Sequence, residues 1–179
     1  VIGRAGIGVD NIDIDTATSK GIIVMNTPHG NSITTAEHTI AMIMSLARQI
    51  PDANVSTKKG KWEKSKFVGT EITGKKLGLI GCGNIGSIVV DRAKGLKMNV
   101  QVYDPFLTDD KSKELGIEKV SFENLLASSD IISIHTPLTD STRNIINSNN
   151  IYSIKKGAWI INCARGGLIE EKALSDAIN

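Results

Sequence analysis

From Lys76 onward, short apolar runs alternate with stretches in which apolar residues recur every three or four positions. The runs fall near 77–80, 100–103, 118–120, 131–135 and 158–162, and helical segments separate them. This β-α-β-α rhythm predicts a parallel sheet wound on both sides. Ile131 to Ile134 and Trp159 to Ile161 are almost continuously apolar, as central strands covered on both faces must be. Between the first two runs, Ile85, Ile88, Val89, Ala93 and Leu96 form one helical stripe that Gly95 closes.

The first 75 residues read differently. Val1 and Ile2 lead through Gly3, Gly6 and Gly8 into a glycine-rich loop, a short helix is expected over Asp13 to Lys20 before Gly21, and a strand over Ile22 to Met25. Thr34 and Glu37 have the spacing of a capping box, and Ala36, Ile40, Ile43, Ala47 and Ile50 form a helical stripe that stops at Pro51. Ala41, Met42, Met44 and Leu46 are apolar too, so this helix is expected to be buried on more than one side, between domains, at a subunit contact, or as a plain core helix. Lys58 to Phe67 is lysine-rich with Trp62 and Phe67 interleaved and has no clean period. It reads either as a solvated loop or as an arm that anchors Trp62 on a partner subunit.

The first strand of the alternating half runs into Gly81-Cys82-Gly83-Asn84-Ile85-Gly86, and Asp104 follows the second strand. Each glycine answers a separate demand: Gly81 the tight turn, Gly83 close approach of a pyrophosphate, Gly86 close contact of helix and strand. Amide groups at the start of the helix would hold the pyrophosphate. A carboxylate at Asp104 accepts hydrogen bonds from ribose hydroxyls and repels a 2′-phosphate, which predicts NAD rather than NADP. The fold class that follows is α/β, a Rossmann-type doubly wound parallel sheet.

Composition narrows the function further. With 21 basic and 19 acidic residues and a formal net charge of +2, the chain has no broad electrostatic footprint for nucleic acid or for a membrane surface. Cys82 and Cys163 form no C-x-x-C pair and have no histidine at ligand spacing, so neither a disulfide framework nor a metal site is expected, and a reducing cytoplasm is the default. No apolar run approaches the roughly 20 residues of a membrane span, and no secretory signal is visible. Val1 opens inside a predicted strand and Asn179 ends a predicted helix without a stop signal, so both ends read as cut.

Ligands of open parallel sheets bind outside the carboxyl ends of the strands. The polar groups expected there are Gly81 to Gly86, Asp104, His135-Thr136-Pro137 and Asn162-Cys163-Ala164-Arg165-Gly166-Gly167. Arg165, just past a buried strand and beside two glycines, suits bidentate capture of a carboxylate. Thr136 and Pro137 form either a loop entrance or a wall of the nicotinamide ribose pocket.

Together, Arg4 to Asn11, Met25-Asn26-Thr27-Pro28 with Gly30-Asn31-Ser32, Gly81 to Gly86, His135 to Pro137 and Asn162 to Gly167 resemble the D-isomer-specific 2-hydroxyacid dehydrogenases over the whole chain. That resemblance implies reversible transfer of a hydride between NAD and a small-molecule substrate, 3-phosphoglycerate or a related 2-hydroxy acid, in a homodimer or higher homo-oligomer. It implies residues 1–28 as a remnant of a second, substrate domain and 29–179 as the NAD-binding domain, including the interdomain helix 32–50. It gives Arg165 the catalytic role, Gly6 and Ile7 a backbone clamp on the substrate carboxylate, and Arg4 the substrate phosphate. Cofactor contacts carry over to Ile7, Asn84, Ile85, Asp104, Thr136, Pro137, Cys163, Ala164 and Arg165.

Family members also use a glutamate and a histidine downstream of the arginine for proton exchange. Glu170 and Glu171 come too early to match that glutamate, and the three histidines, His29, His38 and His135, match noncatalytic positions. The expectation is therefore a fragment that binds NAD but turns over poorly. An NAD-sensing regulatory protein of the same fold is the alternative, and a methyltransferase would leave Arg165 and the Arg4 to Asn11 segment without a task.

Overall fold

The computed structural model describes residues 1–28 and 30–179. Five strands, β3 (Lys76–Ile80), β4 (Asn99–Tyr103), β5 (Glu118–Lys119), β6 (Ile131–Ile134) and β7 (Trp159–Asn162), form one sheet in the order β5-β4-β3-β6-β7. Every pairing is parallel. The chain steps outward from β3 to β5, then returns to the other side of β3 as β6. The strand order thus reverses between β3 and β6, and a crevice opens there at the carboxyl ends.

Side-chain alternation gives the sheet its two covered faces. Leu77, Leu79, Val102, Ile131 and Ile161 enter one core with α2 (Ser32–Ala47) and α4 (Asn84–Gly95), while Ile80, Ile132 and Ile134 enter the other with α6 (Phe122–Ser128) and α7 (Glu171–Ile178). Each fully buried Leu or Ile contributes roughly 1.5–3 kcal/mol over its exposed state. A glycine inside a strand costs about 0.5–1 kcal/mol relative to alanine. Gly78 is tolerated in β3 because α6 lies directly on it: a Cβ at residue 78 would stand 2.1 Å from Ser129 Oγ and 2.8 Å from Leu125 Cγ.

After α4, Lys97 takes the left-handed conformation at φ 61, and Asn99 N–H bonds Lys75 O at 2.9 Å to start β4. A further helix, α5 (Asp109–Leu115), precedes β5 and is closed by Gly116 at φ 60. The strands predicted in this half agree with the structure to within about two residues at each end.

In the first 75 residues the differences are larger. Two strands of two residues each, β1 (Ile2–Gly3) and β2 (Val24–Met25), pair in parallel as a separate small sheet, and α1 (Ile14–Ser19) is capped by Asp13, whose carboxylate accepts from Thr16 N–H. The expected strand from Ile22 thus begins at Val24. Helix α2 starts at Ser32 after Asn31, not at a Thr34-Glu37 box, and ends at Ala47 rather than residue 50. Its last carbonyl accepts Thr70 N–H at 2.8 Å, and Gly69, at φ 72, allows that approach because a Cβ there would meet Ala47 O at 2.5 Å. Pro51 does not end a helix. It sits in the first turn of α3 (Ile50–Lys58), where a missing N–H costs nothing, after Gln49 turns the chain at φ 53.

Only one side of α2 is covered: Ala36, Ile43 and Ala47 are buried, whereas Ile33, Met42 and Leu46 are exposed. Trp62, in the segment beyond α3, is 85% exposed and touches no core cluster. The helix therefore carries an uncovered apolar face rather than burial all round.

Candidate active site

The glycine turn after β3 has the geometry its three glycines predict. Gly81 adopts φ 94, and a Cβ on it would stand 2.9 Å from His135 O. Gly86 faces inward: its Cβ would lie 2.5 Å from Gly81 O, so helix and turn touch backbone to backbone. Gly83 faces open space, where a Cβ would meet nothing within 4 Å, and as the N-cap of α4 it offers no side-chain hydrogen bond to the first helical amides. Those amides are free for an anion. This uncapped helix start beside an open glycine fits a dinucleotide pyrophosphate.

Asp104 closes the crevice on the β4 side. Its Oδ2 accepts Cys82 N–H at 2.7 Å and its Oδ1 accepts Phe106 N–H at 2.8 Å, so the carboxylate points at the glycine turn rather than out of it. Each oxygen keeps a lone pair for a ribose hydroxyl. Burial, together with the charge of Asp104, pushes the Cys82 thiol up to about 11. At neutral pH it is a protonated lining group, not a nucleophile.

Thr136 and Pro137 follow β6 on the opposite wall. Thr136 Oγ1 is buried without a hydrogen-bond partner among the described residues, while Pro137 is exposed. An orphaned buried hydroxyl is costly unless a ligand satisfies it. His135 pairs its Nε2 with Ser133 Oγ at 2.8 Å, and burial pulls its pKa down to about 4. It is a neutral ring tied into the sheet. His38 stands on exposed α2 surface, and His29 lies outside the described residues.

Beyond β7, Asn162 shapes the loop that carries Arg165: its Nδ2 donates to Arg165 O at 2.8 Å and its Oδ1 accepts Ala164 N–H at 3.1 Å. Cys163 and Ala164 lie half-buried in this loop. The Arg165 side chain crosses to the segment before α1, where Nε donates to Asp10 Oδ1 at 3.1 Å and Nη1 donates to Ala164 O at 2.8 Å. That hydrogen bond from Arg165 is the main reason Asp10 titrates below the usual carboxylate range.

Gly8 lies directly beneath the guanidinium, and a Cβ at that position would fall 1.8 Å from Arg165 Nη2. Arg4 reaches over Gly6 in the same way, with a buried Nε that lacks a partner among the described residues. Arg165 thus lies against the loop from Arg4 to Gly8, although most of the chain separates the two. The pairing of Asp10, the loop-shaping bonds of Asn162 and the steric role of Gly8 are not legible in the sequence. An acid in a loop and a glycine read alone carry no sign of a partner so far along the chain.

Two cavities lie elsewhere. One of about 510 Å³ is lined by α3 and the lysine-rich segment, from Gln49 to Phe67, and one of about 190 Å³ lies at the amino ends of the strands around Asp130 and Trp159. Neither is lined by the glycine turn. Among the described residues there is no group of three or more His, Cys, Asp or Glu that could hold a metal ion, and no helix is long and apolar enough to cross a membrane.

Glycine turn, aspartate and reversed strand order define an NAD-binding domain of the Rossmann type. The model of the D-isomer specific 2-hydroxyacid dehydrogenase NAD binding domain matches residues 40–179, and the chain belongs to that family. It is 53% identical over 178 residues to the D-3-phosphoglycerate dehydrogenase of Bacillus subtilis, covering 99% of this chain and 34% of the relative. The human D-3-phosphoglycerate dehydrogenase is 49% identical over the same length, with 33% of it covered. The chain thus spans about a third of the length of these curated relatives. Among solved structures, the D-lactate dehydrogenase of Aquifex aeolicus, in complex with NAD and lactic acid, superposes with a TM-score of 0.89 at 35% identity, over 99% of this chain and 54% of that one.

Proposed function

We propose that this chain is the coenzyme-binding part of a D-3-phosphoglycerate dehydrogenase, which oxidises 3-phospho-D-glycerate to 3-phosphooxypyruvate and feeds serine synthesis. The observation that carries this reading is one short loop that holds Arg165 over Gly8 and Arg4 over Gly6. Bound NAD supplies the acceptor for the hydride that leaves the substrate carbon. Gly81, Gly83, Asn84, Ile85 and Gly86 hold its pyrophosphate, Asp104 its adenosine ribose, and Ile7, Thr136, Pro137, Cys163 and Ala164 line the remainder.

Arg165 holds the substrate carboxylate and stabilises the charge that grows on the reacting oxygen. The amides of Ile7 and Gly8 clamp the same carboxylate, not that of Gly6 as expected from the sequence, because Gly6 N–H donates to Arg4 O at 3.0 Å, and Arg4 takes the phosphate. The hydroxyl proton leaves to a histidine with its glutamate outside residues 1–179, since His135 is committed to Ser133. Residues 1–28 are the end of a substrate lobe, a reading supported by their separate two-stranded sheet, and 29–179 the coenzyme lobe.

The natural gene product should oxidise 3-phosphoglycerate with NAD, prefer it to D-lactate, and bind NADP at least about tenfold more weakly than NAD. A polypeptide of residues 1–179 should quench or enhance NADH fluorescence saturably. Its turnover should be lower by about 10² to 10⁴, the usual effect of losing a general base. Full activity in that polypeptide, or preference for NADP, would overturn the assignment of roles.

The exposed Ile33, Met42 and Leu46 of α2 and the exposed Trp62 are the contact of a homodimer or higher homo-oligomer. Exposed aromatic and aliphatic anchors of this kind carry much of the energy of an interface. Sedimentation of the natural gene product should give a dimer or larger, and Trp62→Ala should weaken it. A monomer at micromolar concentration would refute the contact.

A further inference from the structure

We propose that Asp10 is a positioning residue for Arg165: its carboxylate sets the guanidinium plane so that the Nη2 edge overhangs the Gly6-Ile7-Gly8 loop, and this fixes the affinity for the substrate carboxylate. The inference deepens the functional reading above and rests on it. Two hydrogen bonds orient the planar group, from Nε to Asp10 Oδ1 at 3.1 Å and from Nη1 to Ala164 O at 2.8 Å. A planar fork held at two of its nitrogens has no rotation left about its long axis. The free edge is then Nη2, and the Cβ absent from Gly8 would have lain 1.8 Å from it and 2.6 Å from Asp10 Oδ1. Loop, acid and guanidinium occupy one small volume.

The loop beneath is aligned to match. Gly6 O accepts Thr27 N–H at 3.1 Å and Ile7 O accepts Asn26 Nδ2 at 2.9 Å. Because N–H and C=O point opposite ways across a trans peptide, these two bonds turn the amides of Ile7 and Gly8 away from Asn26 and Thr27. Among the described residues neither amide donates to a backbone acceptor. A carboxylate therefore meets two free amides and one guanidinium edge, and Asp10 decides where that edge stands.

An ordinary surface ion pair would not have this consequence. Asp10 and Arg165 side chains are 48% and 37% exposed, and pairs so open to water add little to folding. Their effect belongs in ligand affinity. Simple charge predicts the opposite sign, since an acid beside the site repels an anionic substrate and its removal would tighten binding. Asp10→Asn separates the two: it keeps an Oδ1 acceptor for Nε–H and loses the charge, whereas Asp10→Ala loses both.

The test uses the natural gene product with either substitution. NADH affinity is read by fluorescence, KM and kcat with the 2-hydroxy acid, and the inhibition or dissociation constant of oxalate in the presence of NADH. Expected for Asp10→Ala is a rise of about tenfold to a hundredfold in KM and in the oxalate constant, the scale of a misplaced binding group. For Asp10→Asn the rise should stay within about threefold, and NADH affinity and the melting temperature should not move in either variant.

In Asp10→Ala, tighter oxalate binding or values within twofold of the unsubstituted protein would overturn the proposal, as would equal losses in Ala and Asn or a parallel loss of NADH affinity. If the unsubstituted protein oxidises no 2-hydroxy acid yet binds oxalate with NADH, the functional reading fails while the oxalate constants still decide Asp10. If it binds no oxalate, both fail.

Discussion

Alanine at Gly86 is expected to destabilise the domain by about 1–3 kcal/mol, the usual cost of overpacking, and to abolish NADH binding. Alanine at Gly83 should leave the stability unchanged and weaken NADH binding tenfold or more. The two glycines lie three positions apart in one turn, yet their surroundings are opposite. A Cβ on Gly86 would stand 2.5 Å from Gly81 O, a backbone atom that cannot swing aside, so α4 must be pushed off β3 and the amides at its start move with it. At Gly83 a Cβ meets nothing within 4 Å, and φ −73 is open to any residue. The only thing the added methyl can obstruct is a ligand. Denaturant melts and NADH titrations of both variants decide the matter: equal loss of stability, or Gly83→Ala binding NADH as the unsubstituted protein does, would remove the pyrophosphate from this turn.

The same contrast explains what the sequence discloses. The five-stranded sheet is legible because its strands are covered on both faces, so Leu77 to Ile80 and Ile131 to Ile134 are continuous apolar runs whose length and spacing have one reading. The Gly81 to Gly86 turn is legible because each of its demands is local, a turn, an approach and a contact within six residues. Helix α2 is legible in its interior and not at its ends. Asn31, Ser32 and Thr34 are all residue types that start helices, and Asn31 does so without a side-chain bond that would single it out, while the carbonyl of Ala47 at the other end is taken by Thr70, more than twenty residues on.

Distance along the chain hides the site in the same way. That Arg165 faces a ligand can be argued from the glycines beside it. That it rests on Gly8 and bonds Asp10 depends on how the first 28 residues fold back against the loop after β7, which no local pattern specifies. Asn162 is the intermediate case: its two bonds to Ala164 and Arg165 are local, but they shape a loop rather than an element, and periodicity says nothing about loops.

Gly8→Ala is the second substitution with a large expected effect, and it should act on the reaction with substrate rather than on folding or NADH binding. The atom that a new Cβ would strike at 1.8 Å is Arg165 Nη2, the tip of a long side chain that can swing away at little cost. Stability should therefore stay within about 0.5 kcal/mol, the range of surface changes. NADH affinity should hold as well, because the glycine turn and Asp104 follow β3 and β4 and the new methyl displaces none of their groups. What is lost is the guanidinium over the loop, and with it the stabilisation of charge on the reacting oxygen. Removing one such donor costs about 10² to 10³ in kcat, so kcat/KM of the natural gene product should fall by at least that much. Arg165→Gln should produce a loss of similar size by deleting the group that Gly8→Ala displaces. The double variant is then the sharpest measurement: with the guanidinium already gone, the methyl at residue 8 displaces only the Asp10 carboxylate, 2.6 Å away and left with no guanidinium to orient, and the second substitution should add almost nothing to the first. Losses that multiply would mean that the two residues act separately, and that Arg165 does its work somewhere other than above Gly8.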